Sequence, residues 1–123
     1  MKIYLGSSKL ALLDKCPDCV NQKSNMPFRN VYMTEVHDKR FESVIFYTST
    51  PGLKLYEMIL LAKPGQDINR IAKDLLGSPN TNNEWRFSPD ETGLNFMLAM
   101  WIYKNKLIIA GSLAGSEWES GFE

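Results

Sequence analysis

The strongest pattern of apolar and polar positions lies in the stretch DINRIAKDLLGSP, residues 67–79. Apolar residues recur there at the three- and four-residue spacing that places side chains on one face of a helix. They are Ile68, Ile71, Ala72, Leu75 and Leu76. Asp67 suits the N-cap, Gly77 suits the position after the last turn, and Pro79 cannot continue a helix. The pattern therefore predicts an amphipathic helix over residues 67–77.

A shorter helix is predicted near the start of the chain, after one of the two serines of GSSK and before Pro17. Its apolar spacing places Leu10 and Leu13 on the inward side, with Leu12 as a further candidate. The preceding KIYLG, residues 2–6, is a candidate for an additional strand.

Six further segments are rich in β-branched and aromatic residues, which is typical of strands. They are residues 30–36, 41–50, 53–62, 84–88, 94–103 and 107–111. Turn signals separate several of them, namely HDKR, PG, PDETG and KNK, and such short connections favour antiparallel meanders. The sequence thus predicts one α+β domain over residues 1–123, with an antiparallel sheet of about six strands and two helices packed on one face.

The order of the predicted elements repeats. The strand starts 30, 41 and 53 are followed at nearly constant distance by 84, 94 and 107. This spacing predicts a duplicated helix–three-strand unit, residues 1–62 and 63–111, with coincidence as the alternative. The tail 112–123 is rich in glycine, serine and glutamate, which predicts a flexible end.

Net charge and hydropathy argue against nucleic acid as a partner and against a membrane span. Fourteen basic and fourteen acidic residues give a net charge of zero, which argues against nucleic acid as a partner because nucleic-acid binders carry a basic excess. No apolar run reaches the roughly 20 residues of a membrane span. The opening residues lack the apolar region of a signal peptide. A cytoplasmic location is expected, with a trimmed exported precursor as the alternative.

Cys16 and Cys19 in DKCPDC are the residues best suited to chemistry. A structural zinc site needs four ligands, and the chain adds a single histidine, His37. A redox pair normally begins a helix, whereas this one follows a predicted helix. We therefore expect no metal and no cofactor, and a turn holding either free thiols or a small disulfide. A thiol- or metal-dependent enzyme using Cys16, Cys19 and His37 is the third-ranked hypothesis.

Aromatic residues and methionines concentrate on one predicted sheet face. Alternation along three predicted strands places there Phe46, Tyr56, Met58, Met97, Trp101 and Tyr103. Such residues are enriched where proteins bind each other, and they are equally suited to a covered core. The partner-binding prediction comprises Phe46, Tyr56, Trp101 and Tyr103, with Glu117, Trp118 and Glu119 of the tail at its rim.

Two stretches resemble known families. DLLGSPN, EWRF and FMLAMWIYKNKLIIAG, within residues 67–111, resemble the small outer-membrane assembly lipoproteins and, as a duplicated unit, the β-lactamase inhibitor proteins. RFESVIFYTSTPGLKLYEMILLA is similar to cytoplasmic bacterial immunity proteins. Both resemblances imply a sheet face that binds another protein without catalysis. The expected function is a protein-binding inhibitor, an immunity protein that neutralises a cognate toxin domain. An envelope or outer-membrane assembly binding module is the alternative.

Overall fold

The computed structural model describes residues 4–24, 26–50 and 53–122. Its elements in chain order are α1 (Lys9–Lys15), β1 (Val20–Gln22), β2 (Arg29–Glu35), β3 (Phe41–Ser49), β4 (Leu55–Ala62), α2 (Ile68–Leu76), β5 (Trp85–Phe87), α3 (Pro89–Thr92), β6 (Leu98–Tyr103) and β7 (Lys106–Gly111). The seven strands form one antiparallel sheet in the order β1-β2-β3-β4-β7-β6-β5. The predicted α+β class is confirmed.

Two short elements exceed the six strands and two helices predicted. Strand β1 has three residues, too few to show an alternating pattern. Helix α3 is a single turn within PDETG, where the sequence predicts a hairpin turn. Ser88 and Glu91 form a reciprocal capping box around it, and Gly93 ends it in the left-handed conformation. The predicted strand at 2–6 lies partly outside the described residues, and its part from Tyr4 onward is a turn.

Both ends of α2 agree with the prediction. The Asp67 side chain accepts a hydrogen bond from the Asn69 N–H at 3.0 Å, and the Gly77 N–H donates to the Lys73 carbonyl at 2.8 Å. The predicted burial of Leu75 is wrong, because 46% of this residue is exposed. Helical spacing identifies the inward face, but not how much of the helix lies over the sheet.

Ser8 caps α1 by accepting a hydrogen bond from the Ala11 N–H at 3.1 Å. Leu12 is completely buried, whereas Leu10 is 80% exposed, so the inward placement of Leu10 is wrong. The inward face is the one that Leu12 shares with Cys16, four residues later. In so short a helix one apolar pair decides the orientation.

The two longer helices pack on the same face of the sheet. α1 covers an apolar cluster built on β2, β3 and β4, which includes Tyr32 and Phe46. α2 covers a second cluster that reaches to β5 and includes Trp85 and Met100. Leu60 of β4 contacts both clusters. The core is therefore continuous beneath the helices.

The two halves of the chain contain a similar order of longer elements. Each of α1 and α2 is followed by a three-strand meander, β2–β4 in the first half and β5–β7 in the second. The last strands of the two meanders, β4 and β7, pair antiparallel at the centre of the sheet. β1, between α1 and β2, has no counterpart after α2, and the predicted units 1–62 and 63–111 and their origin by duplication stay a prediction.

Across the described residues, no helix combines the length and the apolar content that crossing a bilayer requires.

Candidate functional site

Alternation along each strand divides the sheet into two faces. One packs against α1 and α2, and we call the opposite one the second face. Strand pairing shows which of its residues stand side by side. One cross-strand row contains, in spatial order, Val20, Met33, Ile45, Ile59, Ile108 and Trp101. This apolar row crosses the sheet from β1 to β6.

A neighbouring row lies closer to the β6–β7 turn. It contains, from β2 to β6, Glu35, Ser43, Leu61, Lys106 and Tyr103. We call the two rows together the open face, because none of their residues belongs to the apolar clusters formed by the described residues. Its margins are exposed, with Val20 at 59% and Tyr103 at 55%, whereas the central residues Ile59 and Ile108 are buried, with 6% and 8% exposed. Apolar surface of this kind is typical of a protein-binding site.

The tail crosses the remaining part of the second face. The Trp118 ring lies 5.6 Å from that of Trp101 in an edge-on arrangement, and Phe122 lies 6.2 Å from Trp101. Leu113 packs with Tyr56 and Phe96. Residues of the tail thus contact the sheet, while its predicted flexibility stays a prediction and Glu123 lies outside the described residues. Two aromatic side chains and Leu113 thus provide the apolar contacts of this otherwise polar segment with the sheet.

A polar network fastens the tail beside these rings. One carboxylate oxygen of Glu117 accepts hydrogen bonds from the Tyr56 hydroxyl at 2.7 Å and from Arg29 Nη1 at 3.1 Å. The Arg29 guanidinium also lies 4.0 Å from the centre of the Tyr47 ring. These contacts join the tail to β2, β3 and β4. Glu117 thus fastens the tail, where the sequence analysis predicted a partner-binding rim.

Glu57 lies beneath the tail, and Trp118 Nε1 donates a hydrogen bond to its Oε1 at 2.7 Å. Burial raises the pKa of Glu57 to about 7, and the nearby charge of Glu117 adds to this effect. The Trp118 hydrogen bond and the positive charge of Arg29 act in the opposite direction. Burial, together with the bond to Glu117, also raises the pKa of Tyr56 well above its usual range. Both groups are buried and hydrogen-bond to the tail, Glu57 to Trp118 and Tyr56 to Glu117.

A local irregularity places Tyr56 in this network. The pairing of β3 with β4 shifts register between Tyr47 and Thr48, so that Tyr47 pairs with Glu57 while Thr48 pairs with Leu55. Tyr56 is the additional residue on β4. Its side chain packs with the tail, whereas Leu55 belongs to the cluster under α1. A bulge of this kind re-aims one side chain and has no signal in the alternation of the sequence.

The structure separates the predicted partner-binding residues. Phe46 and Met58 lie on the helix face, so the prediction that they share a sheet face with Trp101 and Tyr103 is wrong. Both faces of β3 are apolar, and alternation cannot tell which one meets the helices. Tyr56 is fully buried and cannot touch a partner directly. Trp101 and Tyr103 do lie on the second face, as predicted, but Trp101 is half-covered by the tail.

The remaining predicted residues belong to the tail. Glu117 and Trp118 meet Trp101 and Tyr56 in one contact region, whereas Glu119 is exposed. Sequence reasoning missed Met33 and Ile45 as partly exposed residues, and it missed that Ile59 and Ile108, which are buried, complete the same row. These four residues form one row only because the strands pair in this register. In the sequence, each strand by itself resembles an ordinary core strand.

Cys16 and Cys19 are joined by a disulfide. Of the two alternatives left open for the turn, the structure therefore contains the bonded one. Cys16 is almost completely buried beside Leu12. While bonded, neither sulfur can act as a nucleophile or as a thiolate ligand. His37 lines a cavity of about 420 Å³ with Asp18, and no cluster of three metal-ligating side chains occurs within residues 4–24, 26–50 and 53–122.

Comparisons of the chain with protein-family models, curated proteins and solved structures found no match.

Proposed function

We propose that this protein is a protein-binding inhibitor of the immunity type, which neutralises a toxin by binding to it through the open face. The apolar row carries the proposal. It presents side chains from six adjacent strands to the same side of the sheet. A partner that covers the row removes apolar surface from water, which is the main driving force of protein association.

The surroundings of the row suit recognition. Tyr103 is an exposed aromatic residue at one margin, and Trp101 borders the tail on the same strand. Tyrosine and tryptophan are the residues that most often dominate binding energy at protein interfaces. Lys106 and Glu35 add charges that can fix the orientation of a partner. Inhibition of this kind requires no catalytic step, because the bound chain itself blocks the active site of the toxin.

The test is a photo-cross-linking experiment in the producing cell. A photoreactive phenylalanine replaces Tyr103 on the open face, and a matched variant carries it at Leu10, which is 80% exposed on α1. We expect one protein to be trapped from position 103 and not from position 10. That protein is then purified, and its activity is measured with increasing amounts of the present chain. Inhibition should be complete at one equivalent.

A matched pair of substitutions tests the surface itself. Ile45→Arg places a charge in the centre of the apolar row, and Leu10→Arg makes the same kind of change on α1. Inhibition should fall at least about tenfold for the first variant and stay unchanged for the second. Equal inhibition by both variants, or a trapped protein whose activity the chain does not reduce, contradicts the proposal.

The disulfide favours a second candidate, the envelope binding module. Disulfides persist in oxidising compartments and are rare in the cytosol. The bonded Cys16–Cys19 pair therefore suits an exported protein that binds its partner outside the cytoplasm. Alkylation of thiols in intact producing cells, followed by mass analysis, separates the two candidates. Two alkylated cysteines support the cytoplasmic inhibitor, and none supports the envelope module.

A further inference from the structure

We propose that the open face also binds a second copy of this chain, forming a weak two-fold dimer that a protein partner displaces. The proposal is based on the self-complementarity of the open face. Its charges and its apolar residues are arranged so that two copies, placed face to face, are complementary.

The charges lie on opposite halves of the face. Glu35 is on β2 and Lys106 is on β7, in the same cross-strand row. Within the described residues neither has an ion-pair partner. In the sheet order, the midpoint between their strands falls between β3 and β4. A two-fold axis along the strands at that midpoint brings Glu35 of each copy opposite Lys106 of the other.

The same axis aligns the apolar row with its own copy. Ile45 and Ile59 flank the axis and exchange places across it. Met33 then faces Ile108, and Val20 faces Trp101 together with the tail rings of Trp118 and Phe122 that pack on it. Every position of the row meets an apolar residue, as in the interdigitated core between two packed sheets. An axis perpendicular to the strands instead brings β2 opposite β2, so Glu35 no longer lies opposite Lys106.

The tail fits this arrangement. It packs on Trp101 and Glu57 and reaches Arg29 of β2 through Glu117, whereas Val20 at the β1 margin is 59% exposed. The two-fold axis places the tail of each copy opposite the uncovered β1 margin of the other. The chain also has no net charge, so no overall repulsion opposes the pairing.

The dimer is expected to be weak. Six strands about 4.8 Å apart give a row only about 24 Å wide, at the small end for a specific interface. We expect a dissociation constant on the order of 100 µM. Such a dimer dissociates readily on dilution and yields the face to a tighter partner.

Sedimentation equilibrium between about 10 µM and about 1 mM tests the proposal, because this range brackets the expected constant. Glu35→Lys and Lys106→Glu should each raise the dissociation constant at least about tenfold, since each reversal creates two like-charge pairs. The double variant, with both charges exchanged, should return to within about threefold of the wild type. Added salt should weaken the wild-type dimer.

Asp74→Lys and Lys73→Glu on the exposed side of α2 are matched controls and should leave the dimer unchanged. Three results overturn the proposal: a wild-type chain that stays monomeric at 1 mM, a dimer indifferent to the charge reversals, or a double variant that fails to recover. If the chain stays monomeric and photo-cross-linking from position 103 still traps a different protein, the open face binds that partner alone. The proposed function then stands without the dimer.

Discussion

The indole N–H of Trp118 donates a 2.7 Å hydrogen bond to the carboxylate of Glu57, a residue 61 positions earlier in the chain. The acceptor of this bond, Glu57, is a titratable group in the centre of the sheet, beneath the tail. Glu57 is only 5% exposed. The attachment of the tail therefore depends on whether this carboxyl group carries a charge.

The first prediction is a pH dependence of stability. Folding raises the pKa of Glu57 from 4.5 to about 7, so the folded chain holds this proton more tightly than the unfolded one. The resulting stabilisation is complete below about pH 4.5 and is lost as the pH rises through about 7. Urea denaturation should show a loss of about 1 to 3 kcal/mol attributable to this group between about pH 5 and about pH 8.

Glu57→Gln keeps an acceptor for Trp118 and removes the titration, so this variant is the control. The difference between the two pH profiles isolates Glu57 from other groups that titrate in the same range. Parallel profiles for the wild type and for Glu57→Gln are incompatible with the prediction.

The second prediction concerns the tail. Trp118→Ala removes the ring packed against Trp101 and leaves the Glu57 carboxylate without its donor. We expect the free energy of unfolding to fall by about 2 to 4 kcal/mol. Glu119→Ala, an exposed neighbour, should change it by less than about 0.5 kcal/mol. Similar urea midpoints for both variants indicate a tail that contributes nothing to stability.

The third prediction compares two positions of α2. Ile71 is 6% exposed in the cluster beneath the helix, and Leu75 is 46% exposed. Ile71→Ala should therefore cost about 2 to 5 kcal/mol, whereas Leu75→Ala should cost less than about 1 kcal/mol. Thermal and urea unfolding of the two variants measure the difference. A larger loss for Leu75→Ala requires a different orientation of α2.

The fourth prediction separates stability from binding at the disulfide. Replacing Cys16 and Cys19 by serine removes a cross-link and places a hydroxyl group in the apolar cluster beside Leu12. We expect a loss of about 1 to 3 kcal/mol in the free energy of unfolding. Trapping of a partner from position 103 should be unchanged, because this cluster lies on the helix face. Loss of trapping in a variant that remains folded argues for a direct role of the sulfur atoms.

The elements that local signals specify were predictable. Asp67 caps the start of α2 and Gly77 ends the helix with a positive φ, and both signals involve only neighbouring residues. Alternation also placed Trp101 and Tyr103 together on one face of β6, because that pattern needs no knowledge of any other strand. The α+β class follows from the number and the spacing of such elements.

The functional surface depended on contacts between distant residues. Phe46 and Ile45 both suit a core, and only the packing of α1 decides which of them faces outward. The apolar row exists only because the strands pair in one register, and Glu57 meets Trp118 only because the tail folds back over β4. The sequence by itself determined which segments are helices and strands, since backbone propensity and side-chain periodicity are local. The tertiary structure decided which face is covered and which is open, since burial is shared between elements and belongs to no single one of them.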